Sequence, residues 1–431
     1  MDIVNPPRGR NRVVSWLLPP DGGGSLPRVV FWNTMAGGVY AGATSVLQML
    51  ASRWVDTGDV KYWSGVLGLA LALSQQMAPL GVFGASTYQV SDQRERYSFP
   101  DYVAARVLST GGMLLAGLYF GLSGRLSADK AGVFLLFLLL RASESFAGVF
   151  GSRYQQKGRL DATSRIGFVK NAGDLLAFVL LLWTTRNVFV AAAGMAAAHF
   201  LLFFALDRPI LPFFRDTARK WSFGGALRIL RDCLPLAANA FLIMYVNNGA
   251  KFAVDAVLDV TELARFCALF MTTFGLAMLA DFLTSPQLAP LSDAYLRGDR
   301  RTFNRILGRL ALAIAALGAV GLAVAALWGV QILSWFFYMD LHSYRNALCV
   351  SFLGGALLPF YHLGMTVLVI QRRQNWSLLG IALAAGFVRF ASEPLVRAMG
   401  LQGGCVCYLC AVGLLVAATA AVAAWFMRNG E

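Results

Sequence analysis

Charge is scarce in this chain, and histidine is scarcer. Only 14% of the 431 residues are charged, and three are histidine. No HExxH, GxSxG or GK[ST] pattern occurs. Zinc-peptidase, serine-hydrolase and phosphate-loop chemistries therefore have no residues to stand on. "DGGG" (21–24) lacks the lysine of a phosphate loop and reads as a flexible hinge. No zinc-finger spacing or RNA-binding signature is present, which argues against nucleic acid despite a net charge of +14. The six cysteines lie in or beside apolar runs, and "CVCYLC" (405–410) has no histidine near it, so they read as reduced packing residues.

Apolar residues take the space that charge leaves, at 57% of the chain. Soluble domains average about 45–50% apolar and about 25% charged. The composition predicts an all-α polytopic membrane protein. Twelve runs are long enough to cross a bilayer core at about 20 residues each: 27–50, 62–84, 103–123, 131–152, 166–186, 187–206, 232–255, 263–283, 309–336, 346–370, 376–395 and 402–427. The basic N-terminus carries no cleavage pattern. It reads as a cytoplasmic arm or a short interfacial helix.

Orientation follows from the cations. With the N-terminus inside, 26 of the 37 Lys and Arg fall on the cytoplasmic side, 8 fall outside, and Arg141, Lys251 and Arg389 are embedded. That bias puts both termini in the cytoplasm and the protein in the cell (inner) membrane. The chain divides into an N-terminal arm (1–26), a six-helix lobe (27–206), a cytoplasmic linker (207–231) and a second six-helix lobe (232–431). "SDQRERYSF" (91–99) and "SDAYLRGDRRTF" (292–303) occupy matching places in the two halves. Each half holds an even number of spans, which predicts a parallel repeat with pseudo-two-fold symmetry. Such halves rock around a midplane site.

Charges inside a span are expensive and mark function or pairing. In "LLFLLLRASESFAG" (135–148), Arg141 and Glu144 stand three residues apart on one helix face. The other embedded polar groups are Gln75, Gln76, Asn171, Asp174, Asn239, Asn247, Asn248, Lys251, Asp255, Arg389 and Glu393. His199 and His362 are isolated in the sixth and tenth spans. Arg141, Lys251 and Arg389 make a cationic lining suited to an anionic headgroup. The competing reading treats Arg141–Glu144 and Arg389–Glu393 as intrahelical ion pairs. Asp174 and Asp255 are either coupling carboxylates for H⁺ or Na⁺, or hydrogen-bonded acids with no such role. "NNGAK" (247–251) predicts local unwinding of the seventh span. Gly38/Gly42 and Gly117/Gly121 have the spacing of close helix packing.

Four stretches carry a family resemblance: "YQVSDQRERYSFPDYVAAR" (88–106), "RASESFAGVFGSRYQQKGRLD" (141–161), "LPLAANAFLIMYVNNGAKFAVD" (234–255) and "SPQLAPLSDAYLRGDRRTF" (285–303). In their order and spacing the chain resembles the bacterial O-antigen and capsule-type lipid-linked oligosaccharide flippases. These belong to the multidrug/oligosaccharidyl-lipid/polysaccharide superfamily. The resemblance implies a V-shaped pair of lobes, alternating access and no catalysis. It implies no bound cofactor beyond a coupling ion, and an undecaprenyl-diphosphate-linked glycan as cargo. It also implies a bilayer environment and a polysaccharide polymerase or glycosyltransferases as partners. Arg141, Glu144 and Lys251 fall within the matching stretches; Arg389 does not. The alternative is an ion-coupled multidrug or small-molecule exporter of the same superfamily. That alternative expects carboxylates in the first or seventh span, and the first holds none between Arg28 and Asp56.

Overall fold

The computed structural model describes residues 12–19, 26–92, 94–214, 222–284, 287–371, 373 and 376–429. Most of the N-terminal arm with its "DGGG" hinge, residues 215–221 of the linker, and Ser285 and Pro286 of the fourth stretch lie outside the described residues. Every described element is helical, as the composition predicts. Contacts divide the chain into two compact units, residues 1–55 with 69–241, and residues 56–68 with 242–431.

The first unit contains α1 (Arg12–Leu17), α2 (Leu26–Trp54), most of α3 (Tyr62–Val82), α4 (Ala85–Ser91), α5 (Phe99–Leu122), α6 (Ala128–Gln156), α7 (Leu160–Thr185), α8 (Val188–Leu206) and the start of α9 (Phe223–Val257). The second holds the rest of α9, then α10 (Val260–Thr284), α11 (Leu288–Leu296), α12 (Arg300–Val324), α13 (Val330–Phe337), α14 (Arg345–Ile370), α15 (Ser377–Met399) and α16 (Leu401–Asn429). A π-helical turn, Ala325–Gly329, joins α12 to α13 in one continuous rod. Each of the twelve predicted spans lies on one long helical stretch. Among the described residues, ten helices are long and apolar enough to cross a membrane. This is a multi-pass membrane protein.

Local chemistry sets the boundaries. The Ser98 side chain accepts from the Asp101 backbone N–H while the Asp101 carboxylate accepts from the Ser98 N–H, a capping box that starts α5 with Pro100 behind it. Asn187 caps the first turn of α8, and Asp299 caps α12. Consecutive positive φ angles at Phe83 and Gly84 break α3 from α4. In the first unit α2 packs on α7, α7 on α8, α5 on α6, and α6 on α8. In the second, α14 and α15 both pack on α16, and α10 on α14.

The described N-terminal helix packs on the first unit, and two other expectations are corrected. Val14, Leu17 and Leu18 are buried in the core beside Phe150, Tyr154 and Ile166, and Arg165 donates to the Trp16 carbonyl. "NNGAK" does not unwind: α9 runs unbroken through it. Its glycine serves approach instead, since a Cβ on Gly249 would meet Val388 Cγ1 of α15 at 2.3 Å. Of the two small-residue pairs, Gly117 and Gly121 do face a neighbour, Leu138 and Leu135 of α6, whereas Gly42 faces open space.

Several cations counted as loop charges are built into the first unit. Arg106 is fully buried, donating to the carbonyls of Gly81 (3.3 Å) and Val82 (2.8 Å) and to Ser86 Oγ (2.7 Å). It thereby serves the carbonyls that end α3, where a cation is favoured. Arg159 chelates Asp161 through two bonds, and Arg153 joins Glu95, Gln156 and the Phe214 carbonyl.

Candidate ion-coupling site in the first unit

The embedded charges of the first unit converge. On α6, the Arg141 guanidinium donates to Glu144 Oε2 at 2.6 Å and to the Tyr40 hydroxyl of α2 at 2.9 Å. The intrahelical pair expected from their spacing is therefore present. On α7, Asn171 donates to the Ala36 carbonyl of α2, holding the two helices in register.

One helical turn further along α7, Asp174 Oδ2 lies 2.7 Å from His199 Nδ1 of α8. Both side chains are buried. His199 is thus not isolated, which corrects the expectation. The pair was hidden in the sequence because it depends on the packing of α7 against α8 across 25 residues. Asp174 Oδ1 and His199 Nε2 have no hydrogen-bond partner.

A second buried pair lies toward the α6–α7 turn. Lys170 Nζ bonds Asp207 Oδ2, and the Tyr154 hydroxyl donates to Asp207 Oδ1 at 3.2 Å. Burial pushes the Asp207 carboxyl up against the pull of Lys170 beside it. Lys170 is among the cations counted on the cytoplasmic side although it falls within the 166–186 run, and Asp207 opens the 207–231 linker. The available signal was Lys170 four residues before Asp174, hence on the same helix face.

Two cavities flank the cluster. The larger, about 210 Å³, is lined by Tyr40, Glu144, Tyr154, Lys170, His199 and Asp207 among others. The smaller, about 20 Å³, is lined by Tyr40, Thr44, Arg141, Glu144, Asn171 and Asp174 among others. Glu144, Asp174 and His199 offer ligand atoms within 4.8 Å of one another. Arg141 already bonds one oxygen of the Glu144 carboxylate, Oε2.

The other predicted residues lie apart from this cluster. Gln76 is buried and donates to the Phe241 carbonyl at 3.1 Å, and Gln75 is half-buried. In the second unit, Lys251 is buried, donates to Asn248 Oδ1 at 3.1 Å, and sits 4.7 Å from the Phe270 ring centroid. Asn247 and Asp255 are half-buried. Arg389 is exposed, and Glu393 pairs with Arg397 at 3.5 Å rather than with Arg389. The four-residue spacing fits either partner, and the cation one turn nearer the helix C-terminus is the one engaged.

No protein-family model and no curated protein matches the chain. Solved structures do. An outward-facing multidrug resistance MATE family transporter of the MOP superfamily matches with a TM-score of 0.64 at 12% identity, covering 98% of this chain and 99% of that one. The fold is that of the MATE transporters. A MATE protein in complex with MaD3S gives a TM-score of 0.61 at 14% identity, with 98% of each chain covered. A MOP superfamily transporter from Pyrococcus furiosus, described by the reversed polarity of its binding pocket, gives 0.59 at 14%, again with 98% of each covered. The likeness reaches the superfamily fold. At 12–14% identity it shows the fold and assigns no cargo.

Proposed function

We propose that this protein is an ion-coupled exporter of small organic molecules, with the coupling centre in its first unit. The observation that carries this reading is the Asp174–His199 pair beside Glu144, buried between two cavities of a MATE-type fold. A buried carboxylate–imidazole pair has an atom free to take a proton, and a charge change in one unit is what a gradient can act upon. The carboxylates that the exporter reading requires come from α6 and α7 and from the residue that ends α8, not from the first span.

The test is transport by the purified protein in liposomes. Under an imposed pH or Na⁺ gradient, wild type moves a fluorescent cationic dye against its concentration, and Asp174→Asn does not. Dye movement that ignores both gradients would sink the coupling.

A second reading keeps the lipid-linked oligosaccharide as cargo. It is favoured by Lys251, a cation buried mid-helix in the second unit, and by the four sequence stretches. Its partners would be the enzymes that assemble and polymerise the glycan. Crossing of a fluorescent undecaprenyl-diphosphate oligosaccharide, with no dye export, would select it.

A further inference from the structure

We infer that α12 carries a docking site for an anionic phospholipid, built from Asn304, Arg305, Gly308 and Arg309 on one exposed face near its cytoplasmic end. The inference is independent of the cargo and of the coupling centre. Arg301, Arg305 and Arg309 recur every four residues and are all exposed, so they form a ladder on one face of the helix. Among the described residues none of the three forms an ion pair. The Asp299 carboxylate, just ahead of the ladder, is engaged in accepting from the Thr302 backbone N–H. The first unit spends its cations differently: Arg106, Arg153, Arg159 and Lys170 are buried against protein carbonyls and carboxylates.

These residues cost the helix something on its own. Cations in the opening turns oppose the positive N-terminal end of the macrodipole. The helix in the matching place of the first half, α5, begins with Asp101, whereas α12 has no acid in its first turn. Gly308 is a second local cost, because glycine is a poor residue inside a helix. Packing does not require it, since nothing lies within 4 Å of the Cβ it lacks. The helix packs instead through Phe303, Leu310, Ile314 and Gly318 on its opposite, buried face. Gly308 therefore leaves an open notch, with Asn304 and Arg305 one turn before it, Leu312 one turn after it and Arg309 beside it.

The rest of the rod sets the depth of the notch. Residues 310–330 hold no charged, amide or hydroxyl side chain. Leu312, Val320 and Leu327 continue the ladder's face and are exposed, so below Arg309 that face meets acyl chains rather than water. Trp328 is exposed and lies 19 residues beyond Arg309, about 28 Å along the axis, against a hydrocarbon core of about 30 Å. Trp328 thus marks the outer interface and Arg309 the inner boundary of the core. Arg305 is about 6 Å and Arg301 about 12 Å further out, through the headgroup layer. A lipid phosphate in the notch accepts from the Arg305 and Arg309 guanidinium groups and from the Asn304 amide, with an acyl chain along Leu312. A zwitterionic lipid offers the same phosphate but brings its own cation against the ladder, so the occupant that fits is anionic.

The test is native mass spectrometry of the purified full chain, titrated with phosphatidylglycerol or with phosphatidylcholine of the same acyl chains. Wild type should hold its first phosphatidylglycerol at least about tenfold more tightly than phosphatidylcholine. Arg305→Gln combined with Arg309→Gln should remove most of that preference, at about fivefold per arginine. Gly308→Leu keeps every charge, fills the notch, and should weaken phosphatidylglycerol binding as well. Arg297→Gln removes an exposed cation that is already paired with Asp293, and should leave binding unchanged. Melting temperatures of the same proteins check that each is folded; if the double variant is not, Gly308→Leu decides alone. A loss in Arg297→Gln as large as in the ladder variant reduces the effect to net charge and overturns the site. Wild-type lipid binding by Gly308→Leu overturns it too. So does an acidic peptide that binds the ladder while phosphatidylglycerol shows no preference, which makes the face a protein contact instead.

Discussion

The Arg141 guanidinium sits 2.6 Å from the Glu144 carboxylate within one helix and is held from the neighbouring helix by the Tyr40 hydroxyl. Arg141 is 6% exposed and Glu144 21% exposed. Removing one partner of a buried pair strands the other, at about 3–5 kcal/mol for full burial, and somewhat less here because Glu144 is partly accessible. Arg141→Met is therefore expected to lower thermal stability by more than Arg141→Met combined with Glu144→Leu. Unfolding of the four proteins of the cycle in one detergent checks it. Equal losses in the single and double variants would mean that the pair does not couple.

Arg106 makes a second prediction of the same kind without any carboxylate. Its three bonds end α3, and no lysine reaches two carbonyls and a hydroxyl at once. Arg106→Lys and Arg106→Met should each cost at least about 1.5–3 kcal/mol, the worth of a charge-assisted bond. Proteolysis at the α3–α4 break should rise in parallel. A lysine variant as stable as wild type would show that the carbonyls find water instead.

The sequence made the spans legible because apolar run length is a local property, and it made Arg141–Glu144 legible because three residues on a helix is a fixed geometry. What failed needed tertiary register. Asp174 meets His199 only when α7 and α8 pack with a particular offset. Arg153, Arg159 and Lys170 were indistinguishable from loop cations until their carboxylate partners were located. Asn-Asn-Gly promised a kink, but the glycine's missing Cβ was needed for Val388. Proximity between helices decided each case, and proximity is not written in composition.

Glu95 gives the pH prediction for the cation-rich surface. Burial raises its carboxyl, but Lys157 and Arg153 beside it outweigh burial and hold it below the usual glutamate range. A carboxyl depressed on folding contributes stability above its unfolded value of about 4.3 and loses it as pH falls through the folded value. Glu95 is 33% exposed, so solvent screening limits the effect to about 1 kcal/mol or less. Wild type minus Glu95→Gln, measured by thermal melts, should be positive near neutrality and vanish in acid. A difference that grows with acidification reverses the sign and rejects the pairing.

Two glycines should respond oppositely to alanine. Gly42 is helical with nothing near its absent Cβ, so Gly42→Ala should stabilise α2 by up to about 1 kcal/mol. At Gly403 a Cβ would lie 2.0 Å from the Leu395 carbonyl oxygen, and backbone cannot move aside as a side chain does. Gly403→Ala should force α15 and α16 apart at their joining turn and cost about 1–3 kcal/mol or more. Melting temperatures of the two variants against wild type decide both.

Lys251 separates the two cargo readings. Its ammonium is buried beneath the Phe270 ring, bonded to Asn248 one turn back on α9. A buried cation is costly, and an apolar side chain of similar volume often replaces one at no loss of stability. Lys251→Met should therefore melt no lower than wild type. If the protein exports small cations, the neutral side chain removes a repelling charge, and dye export should hold or rise. If it moves a diphosphate-linked lipid, the same change removes an anion-binding group, and crossing of the labelled glycolipid should fall at least tenfold, the equivalent of about 1.4 kcal/mol. One variant measured in two assays thus assigns the second unit's cation to a cargo, with stability as the control that the site remains folded.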